Sequence, residues 1–253
     1  MIRLKTSKQI GLMAESGKVT GRILYELKEM IRPGLSTMDI DRFVEEEILG
    51  AGMVPTFKGY TGFPASACVS VNEVLVHGVP SETRILKEGD IVSVDIGATY
   101  KGWVSDAART YAVGEISDTA ARLIKTAKDS FFEGLRYCRE GYRLSDVSHA
   151  IQSCIEKEGF SVVLDYVGHG IGKNMHEGPQ IKNYGDPGCG PRLAQGMALA
   201  IEPMLNEGTC KVRKLEGEHT VVTEDGKLAA HYENTVIITD GEPMVITLDE
   251  REK

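Results

Sequence analysis

Four acidic residues in this chain stand where acids are costly. Asp95 falls in GDIVSVDIGATY, where Val92, Val94 and Ile96 alternate with Ser93, Asp95 and Gly97 as the two faces of a strand. Aspartate is depleted in strands, and an apolar strand gives its charge little compensation. Asp106 follows eleven residues later, past a turn predicted near Tyr100, Lys101 and Gly102, so a hairpin is expected to bring the two carboxylates side by side. Close carboxylates repel, and one tends to take up a proton. A divalent cation reverses that penalty and lets both stay charged. Glu202 ends the apolar strand of MALAIEPM, immediately before Pro203, and Glu233 opens the Val-Ile-rich strand of YENTVIIT. Read singly, each pattern fits another role equally well: solvent-facing aspartates at hairpin edges, a salt bridge, or a strand-end cap.

The histidines add a second signal. In VGHGIGKNMHEGPQI, His169 lies between Gly168 and Gly170, and His176 comes seven residues later. The glycines permit close backbone approach and a turn around the imidazole. His77, in NEVLVHGVP, also has a loop-like setting, whereas His149 falls in a helical segment and reads as a surface residue. Four embedded carboxylates, with the glycine-framed His169 as a neutral donor, could neutralise two divalent ions and a bridging hydroxide almost completely: four negative charges from the protein and one from hydroxide against four positive. Oxygen-rich ligation with one imidazole suits manganese, iron, cobalt or zinc better than copper or an iron-sulfur cluster.

These residues need a scaffold, and the apolar spacing outlines one. Ile10, Met13, Val19, Ile23, Leu24, Leu27 and Ile31 predict a helix over Ser7 to Ile31, stopped by Pro33-Gly34. A second helix starts at Ser36, with Asp39 as an acidic capping-box partner, and ends near Gly50 and Gly52. The pattern returns with a helix from Ser117 to about Cys138, a break at Gly141, and a helix from Ser145 to Lys157 ending at Gly159. A shift of 107 positions aligns Gly34 with Gly141, Asp39 with Asp146, Ile40 with Val147, Val44 with Ile151, Ile48 with Ile155 and Gly52 with Gly159. That periodicity suggests an internal duplication, with halves of about 7–112 and 117–248 in a single domain spanning 1–253; two helical pairs sharing common caps by chance is the alternative. Strands are predicted at Ala67–Asn72, Ile91–Tyr100, Ser161–Tyr166, Met197–Glu202, Glu218–Val222, Ala229–Ile238 and Met244–Leu248. Helices and strands are grouped rather than alternating, which favours an α+β architecture with antiparallel pairing. Two sheet halves covered by helices would leave a cleft between them.

Composition narrows the class. At 253 residues, 42% hydrophobic and 26% charged, the chain is ordinary for a globular domain. A net charge of -8 argues against a broad nucleic-acid surface, although a local basic patch near a ribosome is compatible with it. Five cysteines, an odd number with no CxxC pair, fit reduced thiols in the cytoplasm rather than a disulfide framework. No signal peptide or membrane-length apolar run is expected.

GYTGFPASACVSVNEVLVHGVP, GDIVSVDIGATYKGWVSDAART, GHGIGKNMHEGPQI, GMALAIEPM and YENTVIIT together resemble the type I methionine aminopeptidases, across nearly the whole chain. The resemblance implies the pita-bread fold: two pseudo-symmetric α+β halves around a metal-bearing cleft. It implies two divalent ions, of cobalt, manganese, iron or zinc, held by Asp95, Asp106, His169, Glu202 and Glu233. Asp95 would chelate one ion, Asp106 and Glu233 would bridge, and His169 and Glu202 would complete the other shell. It further implies that Glu202 carries the proton, that His176 stabilises the developing oxyanion and that His77 sits by the scissile amide. The methionine side chain would meet Tyr60, Phe63, Cys68, Met175 and His219, with His77 and His176 also touching substrate.

The expected activity is excision of initiator methionine from nascent polypeptides with a small second residue, by a monomer. Several positions depart from the family pattern: Phe63 where tyrosine is common, Met175 where an aromatic is common, His219 where some bacterial members have tryptophan, and Phe57 where some have cysteine. They bear on pocket shape and leave the ligand set intact. No long insertion separates His176 from Glu202, which resembles type I rather than type II.

Overall fold

The computed structural model describes residues 2–252. Helix α1 (Ser7–Met30) starts at a capping box in which the Thr6 hydroxyl accepts from the Gln9 N–H and the Gln9 side chain accepts from the Thr6 N–H. Helix α2 (Thr37–Gly50) repeats the device with Ser36 and Asp39, as the sequence predicts. Strands β1 (Val54–Pro55), β2 (Ala67–Val71), β3 (Val74–Val76), β4 (Ile91–Tyr100) and β5 (Trp103–Ala112) follow. Then come α3 (Asp118–Leu135), capped by Ser117, and α4 (Leu144–Lys157). The chain finishes through β6 (Ser161–Val162), β7 (Gly168–Gly170), β8 (Glu177–Ile181), β9 (Ala198–Ile201), β10 (Met204–Asn206), β11 (Val212–Lys214), β12 (Val221–Thr223), β13 (Ala229–His231), β14 (Glu233–Ile237) and β15 (Met244–Val245).

The halves share one sheet. Nine antiparallel strands run in the order β1-β4-β5-β14-β9-β7-β8, with β2 also on β4 and β15 also on β14. The sequence suggests a sheet for each half; the structure joins them where β5 pairs with β14, through Glu233 with Ala108 and Asn234 with Ala107. Two three-stranded sheets, β13-β10-β6 and β11-β12-β3, flank this joint. Ile23, Leu24, Ile40 and Val44 of α1 and α2 pack with Val92, Val94 and Ile96 of β4. Leu123, Phe131, Val147 and Ile151 of α3 and α4 pack with Leu199, Ile201 and Val236 on the other side of the joint.

Several strands are shorter than their apolar runs. Predicted strand Ser161–Tyr166 pairs only at Ser161 and Val162, after which the chain turns and brings Tyr166 to the central cavity. The run Ala229–Ile238 breaks at Tyr232, whose N–H bonds Pro203 O as the chain passes from the small sheet to the large one. Glu218 sits in the turn closed by Leu215 N–H and Thr220 O, so that strand starts later, at Val221. Apolar pattern reports burial, and burial here continues past the hydrogen-bond ladder.

The offset of 107 recurs in local geometry. Helices 37–50 and 144–157 are separated by it at both ends, as are strands 54–55 and 161–162. The isolated bridges Ser36–Ile85 and Arg143–Arg192 repeat at the same offset. Gly34 and Gly141 have φ of 91° and 93°, and Gly52 and Gly159 have 71° and 82°, a left-handed conformation that favours glycine at these breaks. Asp95 and Glu202 are themselves 107 apart.

Helix α1 lies against the C-terminal segment through glycines. A Cβ on Gly17 would sit 2.3 Å from Ile246 O, whereas one on Gly11, on the exposed face of the same helix, meets nothing within 4 Å. Gly17→Ala is therefore expected to lower stability by about 1–3 kcal/mol. Gly11→Ala is expected to raise it by about 0.5–1 kcal/mol through helix propensity. Chemical denaturation of both variants beside the parent checks the pair, and equal effects would contradict the packing argument.

Candidate metal centre

The β4–β5 hairpin turns on Lys101-Gly102, so Tyr100 faces Trp103. That register sets Gly97 opposite Asp106 and Ala108 opposite Asp95. The two aspartates are thus side by side on one sheet face, as the sequence predicts, and the register makes them diagonal neighbours. Gly97 is required between them: a Cβ there would lie 2.7 Å from the Phe57 ring. Thr235 of β14 fixes the Asp106 backbone twice, its hydroxyl accepting from Asp106 N–H at 3.0 Å and donating to Asp106 O at 2.9 Å.

Glu233 enters from β14 beside Ala108, held from behind by Arg109, which donates to Glu233 O at 2.7 Å and to the Asn234 side chain at 2.9 Å. Glu202 follows β9, and its carbonyl accepts from Asn183 at 2.9 Å. His169 lies in β7, where Gly168 and Gly170 serve close approach rather than a left-handed turn: added Cβ atoms would sit 2.4 Å from Ala200 O and 2.2 Å from Gly178 O. Its Nδ1 donates to Gly170 O at 3.0 Å. That bond directs the Nε2 lone pair toward Asp106 Oδ2 and Glu202 Oε1, each 3.6 Å away.

All five predicted ligands thus face one space. Asp106, Glu233 and His169 are 2%, 1% and 6% exposed, too buried for water to satisfy their charge. Burial, with mutual repulsion, pushes Asp95, Glu202 and Glu233 well above the usual carboxylate range, and burial raises Asp106 to about 7 against hydrogen bonds that lower it. Among the described residues, the ion-pair partners of Asp106, Glu202 and Glu233 are only His169 and His231. Asp95 Oδ1, Asp106 Oδ1, Glu233 Oε1 and His231 Nε2 have no hydrogen-bond partner. Two triads bring ligand atoms within 4.8 Å of one another: Asp106, His169 and Glu233, and Asp95, His231 and Glu233. Orphaned carboxylate oxygens and imidazole nitrogens around one shared glutamate suit divalent metal ions.

The same cavity, of about 370 Å³, is lined by every predicted substrate contact: Tyr60, Phe63, Cys68, His77, Met175, His176 and His219. Tyr60 OH bonds His176 Nδ1 at 2.7 Å, with the rings stacked 5.5 Å apart. The His176 ring lies 4.3 Å from that of His169. Phe63 meets His219 edge-on at 5.4 Å, and His77 meets Tyr166 edge-on at 5.9 Å. Dehydration lowers His77 and His176 to about 4 each, helped at His77 by neighbouring His176 and at His176 by His169. His77 has a φ of 58°, a left-handed conformation unusual for a non-glycine residue and of a kind that gathers at functional sites. Sequence reading overlooked His231. It stands two residues before Glu233, so strand alternation turns both side chains the same way. Lys214, Val76 and Met204 also line the cavity, reached only through the small sheets.

The description "metallopeptidase family M24" matches residues 11–240. The chain is 53% identical over 250 residues to a methionine aminopeptidase of Clostridium acetobutylicum, covering 99% of this chain and 100% of that protein. It superimposes on the crystal structure of the methionine aminopeptidase of Thermotoga maritima with a TM-score of 0.97 at 44% identity, covering 98% and 100% of the two chains. A more distant match, at TM-score 0.77 and 25% identity, is an Xaa-Pro dipeptidase from Bacillus anthracis, covering 96% of this chain and 61% of that one.

The shifted groups make cation binding pH-dependent. Asp106, raised to about 7, contributes stability fully present below its ordinary value of 3.8 and lost as pH rises through about 7. The lowered histidines act oppositely: their contribution is present above 6.5 and lost as pH falls through about 4 for His77 and His176 and about 3 for His231. A divalent ion needs its carboxylate and imidazole ligands deprotonated, and the raised carboxyls are the ones still protonated in mild acid. The rise in Tm on adding Mn²⁺ or Co²⁺ is therefore expected to be small at about pH 5 and largest near pH 8. A rise independent of pH would contradict this assignment. Asp106→Asn should stabilise the metal-free protein at pH 8 by roughly 1–3 kcal/mol and abolish most of the ion-induced shift.

Proposed function

The chain belongs to metallopeptidase family M24 and, within it, to the methionine aminopeptidases, and on that footing we propose that it removes the N-terminal methionine from nascent proteins and peptides whose second residue is small. The observation that carries the reading to particular residues is the convergence of four carboxylates and His169, largely withdrawn from water, on one cavity with their outer oxygens unpaired. In this reading Asp95, Asp106, His169, Glu202 and Glu233 hold two divalent ions, of cobalt, manganese, iron or zinc. Bound there, the ions would supply Lewis acidity that polarises the peptide carbonyl and acidifies water.

The remaining steps belong to side chains of this protein. Glu202 takes the proton of the attacking water and passes it to the leaving amide nitrogen. Its side chain is 13% exposed against 3% for Asp106 and 2% for Glu233, which leaves it the freest of the three to exchange a proton with the cavity. His176 donates to the carbonyl oxygen. With Tyr60 OH donating to its Nδ1, the proton sits on Nε2, and the ring is neutral at physiological pH. His77, also neutral, positions the scissile amide from the end of β3. Tyr60, Phe63, Cys68, Met175 and His219 form the apolar, adaptable seat for the methionine side chain.

The same reading treats residues 1–253 as one catalytic domain of two pseudo-symmetric halves, about 7–112 and 117–248, supported by the recurrent offset in caps, bridges and helix ends. It takes the protein as a cytoplasmic monomer working on nascent chains at or near the ribosome. Five unpaired cysteines favour a reducing compartment. Among the described residues, no helix is long and apolar enough to cross a membrane.

Methionine release from Met-Ala-Ser should exceed cleavage of a matched Xaa-Pro peptide once Mn²⁺, Co²⁺ or Fe²⁺ is added. Preference for the Xaa-Pro peptide would assign the chain to the proline-specific branch instead. Asp95→Asn and Glu202→Gln should abolish most turnover. His176→Ala is expected to lower kcat by about 10²–10³-fold, the range for loss of one oxyanion donor. Steady-state kinetics on folded, metal-analysed variants check these; unchanged rates would contradict the roles given.

A further inference from the structure

His231 is unused by the five-residue ligand set, yet its ring is aimed into that set. It is 2% exposed, and its Nε2 has no hydrogen-bond partner. Nε2 lies 3.6 Å from Glu233 Oε2 and 4.0 Å from Glu202 Oε2, both too far for a hydrogen bond. Two donors each about 2.1 Å from one tetrahedral ion lie about 3.4 Å apart, so the spacing to Glu233 is that of ligands sharing a cation.

The backbone leaves the ring little choice. Thr110 of β5 pins His231 from both sides, its hydroxyl accepting from His231 N–H at 3.0 Å and donating to His231 O at 2.8 Å, while Ser93 Oγ lies 2.7 Å from that hydroxyl. The next residue, Tyr232, faces away into the α3 layer, against Phe131 and the Arg109 guanidinium. Alternation then returns Glu233 to the His231 side. With His169 serving Asp106 and Glu202, His231 stands with Asp95 and Glu233, the end that otherwise offers only oxygens.

We propose that His231 Nε2 is a sixth protein ligand, completing the shell of the ion at Asp95 and giving each of the two ions one imidazole. The proposal rests on the two-ion reading above. Its consequence is chemical selectivity: a nitrogen donor at the Asp95 end favours cobalt, zinc or iron over manganese, relative to an all-oxygen shell.

The test is proton NMR of the protein loaded with two equivalents of Co²⁺, with the bound cobalt measured independently. A histidine bound to Co²⁺ through Nε2 shows its other ring N–H as a far-shifted resonance that disappears in D₂O. Two such resonances are expected, one of which is lost in His231→Gln while the other remains. The affinity advantage of Co²⁺ over Mn²⁺ should fall about tenfold in the same variant. One resonance with two ions bound, or two that both survive His231→Gln, would overturn the proposal and leave the two-ion reading intact. Fewer than two ions bound would sink the two-ion reading itself. Should His231→Gln fail to fold by circular dichroism, the parent resonance count alone decides between one imidazole and two. A ring that only neighbours the ions would change affinity on substitution but would not give the second resonance.

Discussion

Four carboxylates crowd a mostly buried space at the seam where β5 meets β14, and the fold is organised around that repulsion. Two like charges 4 Å apart cost about 4 kcal/mol at an effective dielectric of 20. A whole domain is stable by only about 5–15 kcal/mol. Burial first, and repulsion at Asp95, Glu202 and Glu233, raise the four carboxyls, with Asp106 at about 7, so the metal-free molecule meets the conflict by holding protons. Among the described residues no arginine or lysine pairs with them: Arg109 turns its cation away, to Glu252 and the Tyr232 ring, and touches Glu233 only through its carbonyl. The negative charge is left for cations that are not part of the chain.

The rest of the architecture holds this strained seam rigid. Thr235 clamps the Asp106 backbone, Arg109 clamps that of Glu233, Asn183 that of Glu202 and Thr110 that of His231. Each clamp acts on main chain, so ligand positions are set without using side-chain donors that would compete with a metal. Behind them, the α1–α2 and α3–α4 layers pack the two flanks of the joint sheet. Glycines at 168 and 170 bring β7 closer to its neighbouring strands than a Cβ allows, and Gly97 leaves room for the Phe57 ring beside the aspartates. Stability is given up at the centre and recovered in the layers around it.

Chemistry and specificity are divided across the cavity. Metal-facing oxygens occupy the floor formed by the large sheet. The histidines proposed to meet substrate come from elsewhere: His77 from the end of β3, His176 from the turn before β8, His219 from the loop before β12. Loops of this kind absorb sequence change more easily than paired strands. The departures from family pattern at Phe57, Phe63, Met175 and His219 all fall on this wall, while the floor keeps its acids. His231 is the exception, reaching the floor from the end of β13 in a small sheet, with an imidazole that would change the donor character of the centre.

The sequence by itself determined the helices, their caps and the identity of the acids, because those depend on local chemistry. Thr6-x-x-Gln9 and Ser36-x-x-Asp39 satisfy N–H groups three residues away, and an aspartate in an apolar strand is costly wherever that strand goes. The offset of 107 was legible for the same reason, since glycine breaks and capping acids are local marks. Tertiary structure decided what depends on pairing between distant segments. It set the diagonal placement of Asp95 and Asp106, through the register of the hairpin, and the fusion of two sheets into one through β5 and β14. It also decided His231: its position two residues before Glu233 hints at a shared face, but only Thr110, 121 residues earlier, fixes its backbone and aims its ring at Glu233. Local sequence specifies which groups are expensive to bury; only long-range packing specifies which of them are buried together.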